Sequence, residues 1–351
     1  MAMEFLYMLI VGLIIGAIFG FILQSGRFCM NSAFRDIILL KEFKLAKAVA
    51  VSLAVLAVGF AIFAFSGIVD LAPKAFKPWS AIVGGLVFGF GMVFAGGCAS
   101  GTTYRVGEGM MGSFVAAIGL TVGALMTAGG VLSDLSIMLK SITVGTQLTL
   151  FGEFNAAITP IFMLIFGIVG LVLMFFFWAF PAIKKKIDAK EPFIKFDNFV
   201  ESTFKKGYPW WVTGILIGLI LTAGFVASNG VIGITGGWMN ISGWLTAGEF
   251  SVTGGLAWSG FIIFGILIGA MVSAIVAKEF KFRIPKDGLT VLKQFFGGLL
   301  MGFGAVTAMG CNITNILGGI PQLSLHSIIT GACIMFGSWI AAYLLFMWRK
   351  D

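Results

Sequence analysis

"GGLVFGFGMVFAGGCASGTTYRVGEG", Gly84 to Gly109, is apolar as far as its cysteine and then gathers hydroxyls, an arginine and a glutamate. A second stretch, "GGLLMGFGAVTAMGCNITN", Gly297 to Asn315, repeats it. From the Gly-Gly pair to Cys98 and to Cys311 the two agree at ten of fifteen positions without a gap, including both GFG units and the closing Gly-Cys. The apolar part is suited to a bilayer-crossing helix, for which about 20 residues are needed. The Gly-rich, hydroxyl-bearing part is not, because irregular backbone survives at membrane depth only where protein or a water-filled cavity surrounds it. The pattern reads as a membrane helix that breaks, used twice.

The rest of the chain supports a membrane setting. Of 351 residues, 59% are hydrophobic and 11% charged, with mean hydropathy +1.05; soluble domains carry about 25% charge. Strand-like alternation is missing, which excludes an outer-membrane barrel. The expected fold is an all-α polytopic membrane protein with about nine crossings, at 5–23, 47–69, 78–97, 109–131, 155–180, 209–227, 255–277, 290–309 and 323–347. The first segment lacks a cationic start and a small-residue cleavage site, so it reads as a retained helix.

Charge sets the orientation. The "KKKIDAK" loop, Lys41, Lys44, Lys47, Lys278, Lys281, Arg283, Lys286, Arg349 and Lys350 fall on one side of these crossings, and Lys74, Lys77 and Lys140 on the other. The positive-inside rule then puts the N-terminus outside and the C-terminus in the cytoplasm. The formal charge of +8 is explained by this topology and needs no nucleic acid as partner. Residues 181–208 read as a basic cytoplasmic linker between a first half with its connecting helix, 1–180, and a second half, 209–351.

The matched helices are the third and eighth crossings, so they traverse in opposite directions and the repeat is inverted. Inverted repeats bring equivalent loops to the midplane from opposite faces, where substrates bind in many transporters. At a break, free N–H groups and the positive end of the next helix make an anion site without formal charge. Gly97, Ser100, Thr102, Thr103 and Tyr104 would line the first, with Asn312, Thr314 and Asn315 in the second. Two further breaks are expected in "QSGRFCMNSAFRD", Gln24 to Asp36, and in its thiol-free counterpart "SNGVIGITGGWMN", Ser228 to Asn240. The first holds Cys29 beside Arg27.

These segments carry a family resemblance. "GRFCMNSAFRD", "GGCASGTTYRVGEG" and "MGFGAVTAMGCNITN" resemble signature segments of the YeeE/YedE sulfur-transport family, over essentially the whole chain. The resemblance implies an hourglass-like bundle in the bacterial inner membrane, with Gly-rich broken segments meeting at its centre. It also implies that Cys29, Cys98 and Cys311 pass thiosulfate along by weak S–H···S contacts. It further implies a separate small cytoplasmic sulfur-carrier or sulfurtransferase partner of the YeeD/TsuB kind. Other relatives are associated with selenium or other sulfur anions, which keeps a second substrate class open. A membrane sulfurtransferase or thiol-redox enzyme is the third reading, ranked lower because a reactive thiolate needs a base or strong positive field beside it.

The remaining features have plainer readings. Arg105 and Glu108 are expected either to pair or to meet the anion, and Arg27 to act near Cys29 or to anchor the chain on its basic side. Cys333 reads as packing, His326 as a capping or interfacial residue, and most tryptophans as interfacial. Small residues at Gly12/Gly16/Gly20, Gly85/Gly89, Gly119/Gly123, Gly265/Gly269 and Gly298/Gly302 read as close helix contacts. No cofactor, metal cluster or Walker-type phosphate loop is expected.

Overall fold

Pro78 begins helix α4, Pro78–Ala95, and Gly96, at φ 75°, ends it. Proline is pre-shaped for a first helical turn, and glycine enters the left-handed region that terminates a helix without a Cβ clash. The computed structural model in which these features are seen describes residues 2–179, 207–247 and 255–348. The basic linker up to residue 206 lies outside them.

The first half runs through α1 (Ala2–Ser25), α2 (Met30–Leu39), α3 (Lys44–Phe65), α4, α5 (Ala99–Gly107) and α6 (Met111–Ala128). A short helix α7 (Ser133–Lys140) and a two-stranded hairpin, Leu148–Thr149 with Gly152–Glu153, lead to α8 (Thr159–Met174). The second half has α9 (Trp210–Ser228), α10 (Ile234–Ala247), α11 (Gly255–Val276), α12 (Gly288–Thr307), a π-helical segment Ile313–Gly319, and α13 (Leu325–Ala342). Among the described residues nine helical stretches are long and apolar enough to cross a membrane. They coincide with the expected crossings. The first and third are longer than their sequence pattern indicated, spanning Phe5–Leu39 and Pro78–Gly107, because each carries a short second helix beyond its break.

Two tight seams organise the bundle. In the first, α1 lies on α11: a Cβ at Gly16 or Gly20 would fall on the backbone of Ile262 or Ile266, and one at Gly269 on the carbonyl of Ala17. In the second, α6 lies on α12, with Gly119, Gly123, Gly298 and Gly302 facing carbonyls across the contact. Only small residues allow such approach, and in lipid it is packing that drives helices together. Helix neighbours recur under exchange of halves. The α1–α11 contact matches α9–α3, α6–α12 matches α13–α4, and α2–α13 matches α10–α6. Helix α8 stands apart, resting on α3 with most of its apolar surface outward.

Bulky substitution in the first seam therefore has no room. Gly269→Leu is expected to destabilise the protein by about 3 kcal/mol or more, whereas Gly129→Ala, whose Cβ would meet open space, should be neutral. The melting temperature in detergent, read by static light scattering, checks both.

Candidate functional site

Helices α2 and α5 both begin on a cysteine. Cys29 caps α2 and Cys98 caps α5, each in extended backbone. The chain reaches Cys29 through a turn in which Arg27 takes φ 47°, and reaches Cys98 through Gly96 and Gly97. The two sulfur atoms lie 3.8 Å apart, both buried. Each therefore sits at the positive end of a helix, whose unpaired N–H groups amount to about half a charge. The Gly101 N–H donates to the Cys98 sulfur at 3.3 Å, and the Ser100 hydroxyl lies 3.4 Å from it. Gly101 leaves the space between the thiols clear: a Cβ there would stand 2.6 Å from the Cys29 sulfur and 3.2 Å from that of Cys98.

The second break is built around Asn315. Its amide donates to the carbonyls of Ala308 at 3.2 Å and Gly310 at 2.7 Å, while its oxygen accepts from Lys74 at 2.8 Å and Ser327 at 3.3 Å. Lys74 also donates to the Met309 carbonyl at 2.7 Å. These bonds fix the turn through Met309 (φ 55°) and Gly310 (φ 150°) that presents buried Cys311, 3.6 Å from the Thr314 hydroxyl. Thr314 donates to the Ile232 carbonyl, next to the start of α10.

One contact joins the two breaks. The side-chain amide of Asn312 donates to the Met30 sulfur at 2.9 Å, and these residues are the chain neighbours of Cys311 and Cys29. Trp238 of α10 closes the group by donating to Thr103 of α5 at 2.9 Å. Stretches from four breaks thus meet around sulfur atoms. Several polar atoms there lack any protein partner: both ends of the Asn31 amide, the Asn312 oxygen and the Thr102 hydroxyl, all buried. Buried polar groups in native proteins are almost always bonded to something, so such a cluster has capacity for a polar guest.

The charged residues are arranged differently from the simplest expectation. Arg105 folds back to donate to the Gly96 carbonyl and lies over the Tyr104 ring, so it braces the break instead of ion-pairing with Glu108. Gly97 keeps bare backbone beside this guanidinium and Thr102. Arg27 is mostly exposed and pairs with Glu279 at 2.5 Å, turned from Cys29 toward the loop after α11. Gln24 donates to the same carboxylate at 3.3 Å, and Ser273 donates to Gln24 at 2.5 Å. Burial raises the carboxyl of Glu108 above its usual range, opposed by the nearby guanidinium of Arg105. His326 is buried rather than interfacial, held between the Ala308 carbonyl at 3.1 Å and the Lys77 N–H at 3.5 Å. Trp258 too is interior, only 4% exposed.

The sulphur transport profile matches residues 25–340, which takes in all three cysteine breaks. The chain belongs to the sulphur transport family. Thiosulfate transporter TsuA of Spirochaeta thermophila is 38% identical over 347 residues, covering 95% of this chain and 98% of that one. Thiosulfate transporter TsuA of Escherichia coli is 32% identical over 349 residues, covering 97% and 95%. Probable transporter YedE of Escherichia coli is 37% identical over 83 residues, 24% of this chain and 21% of that one. In this family member, then, a multi-pass membrane bundle encloses thiols, amides and hydroxyls.

Met30, Asn31 and Lys74 were not singled out by their sequence. The first two follow Cys29 directly and could have been flagged by that adjacency, whereas Lys74 has the look of an ordinary loop cation. The Gly101 geometry gives a direct check on the thiol pair. Gly101→Ala is expected to slow alkylation of Cys29 and Cys98 by a small uncharged maleimide, as followed by peptide mass spectrometry, and to lower stability by about 1–3 kcal/mol.

Proposed function

We propose that this protein imports thiosulfate across the bacterial inner membrane, with Cys311, Cys98 and Cys29 as successive soft contacts for its terminal sulfur. The observation that carries the reading is the meeting of the three thiols' loops through Asn312 and Met30 in one buried region. Both full-length relatives, each a thiosulfate transporter by name, agree with it. A neutral thiol donates a weak S–H hydrogen bond, and conduction favours sites shallow enough to leave. A ladder of full charges would hold a dianion too tightly.

The other parts of the site have matching roles in this reading. The N-termini of α2 and α5 offset part of the anion's charge, and Asn31, Thr102, Ser100 and Asn312 replace its lost water. Arg105 sets the shape of the Gly96–Cys98 turn, while Glu108 and the Arg27–Glu279 pair stand where the anion leaves. The orientation follows from charge: the face carrying Lys41, Lys278 and Lys281 is cytoplasmic, with the N-terminus outside. The halves are an inverted repeat, a reading supported by the sequence match ending on Cys98 and Cys311 and by the recurring helix neighbours. A separate cytoplasmic sulfur-carrier or sulfurtransferase protein takes up the product.

The test is uptake of radiolabelled thiosulfate into proteoliposomes holding only this protein. Cys98→Ala and Cys311→Ala are each expected to reduce uptake by about tenfold or more while the protein remains folded in detergent. Unchanged uptake in both would remove the thiols from the path. Competition by sulfite, sulfide and selenium oxyanions separates the thiosulfate reading from a related anion.

A further inference from the structure

We propose that Lys74 receives the anion at the Cys311 end of the path, pairing its ammonium with the incoming sulfur oxyanion before the thiol is reached. The inference rests on the transport reading above and adds to it a specificity-determining residue.

Lys74 is half-buried, with its ammonium turned onto the loop that carries Cys311. Both of its partners there, the Met309 carbonyl and the Asn315 side-chain oxygen, are neutral. No carboxylate among the described residues lies within ion-pair distance of it. An ammonium offers three donors, of which these two oxygens take two. A desolvated charge without a counter-ion is costly, and a dianion arriving at this loop supplies the counter-charge the protein lacks. Gly310 lets the ammonium lie against the Cys311 loop, since a Cβ there would stand 2.8 Å from its nitrogen.

A second feature of the same loop points to a guest. The Asn312 oxygen, next to Cys311 in the chain, is buried without a partner, as are the hydroxyls of Thr307 and Ser324 on the flanking segments. The chemistry that fits is a small divalent anion with hard oxygens for the ammonium and hydroxyls and a soft terminal sulfur for the thiol. A plain oxyanion satisfies the lysine and the hydroxyls and leaves the thiol without a soft partner.

Burial also pulls the Lys74 ammonium down to about 7, with Cys311 acting in the opposite direction. The titratable groups that interact with it are Cys311 and His326 at the start of α13, with Asp70 and Lys77 nearest along its own segment. Below pH 7 the seat is charged before the anion arrives. Above it, binding must draw in a proton, because the anion restores the ordinary lysine value. Thiosulfate itself stays dianionic throughout.

The experiment is thiosulfate KM in proteoliposomes with external pH varied from about 6 to 9 across the Lys74 titration and internal pH held constant. For the wild type, KM should be flat at the acid end and climb by up to about tenfold per pH unit above neutrality. Lys74→Arg, which stays protonated, should remove that climb. Lys74→Met should raise KM by about tenfold or more at the acid end and also be insensitive to pH. A wild type that transports with flat KM, together with Lys74→Met behaving like it, would overturn the role of Lys74 and leave the transport reading standing. A wild type that moves no thiosulfate at any pH would overturn both. If Lys74→Met does not fold, the wild-type profile and the arginine variant still decide.

Discussion

A backbone carbonyl or N–H in the hydrocarbon layer has no water to bond, and the rest of this structure is organised around that constraint. Each break in a crossing frees several such groups. The protein answers with side chains dedicated to them. Arg105 takes the Gly96 carbonyl, Asn315 takes those of Ala308 and Gly310, and Lys74 takes that of Met309. Cys98 accepts the Gly101 N–H. Because each brace has to come from nearby chain, the breaks can exist only where other segments surround them, which gathers the thiols in one place.

Close helix approach makes that gathering feasible. The α1–α11 and α6–α12 seams bring backbones together at glycines. Large side chains along these contacts would hold the helices apart and open the centre to lipid or bulk water. The Arg27–Glu279 pair, tied through Gln24 to Ser273, fastens the ends of α1 and α11 at the margin of the same seam. The seams and the braces thus act jointly: the first sets the distance at which the second can reach.

The fold was largely legible in the sequence because its signals are periodic or compositional. Long apolar runs, small residues at fourfold spacing, and a gapless match ending on cysteine each have one dominant physical meaning. The short helices α2 and α5 were hidden. Their residues are mixed in polarity, and nothing in "MNSAFRDIIL" states that it restarts a helix after a turn of four residues. At the site, Cys29, Cys98 and Cys311 stood out by their glycine surroundings. The contact of Asn312 with Met30, across 282 positions, did not, because a long-range pairing between unlike residues leaves no local pattern. Arg105 and Glu108 show the opposite difficulty. Their three-residue spacing suits a helical ion pair, but a free carbonyl at Gly96 is the more demanding partner.

The two ends of the sulfur-lined region are unlike in charge: at one Lys74 meets only neutral partners, while at the other Glu279 is paired with Arg27 and Glu108 lies near Arg105. In the transport reading proposed above, such a fixed asymmetry of charge acts on rates alone. It alters how quickly an anion is captured from either side and how quickly it is shed. By microscopic reversibility it leaves the final concentration ratio across the bilayer untouched. In that reading, a path with no energy input of its own fills a compartment only as fast as chemistry there removes what enters, so control over net flux passes to whatever consumes the sulfur.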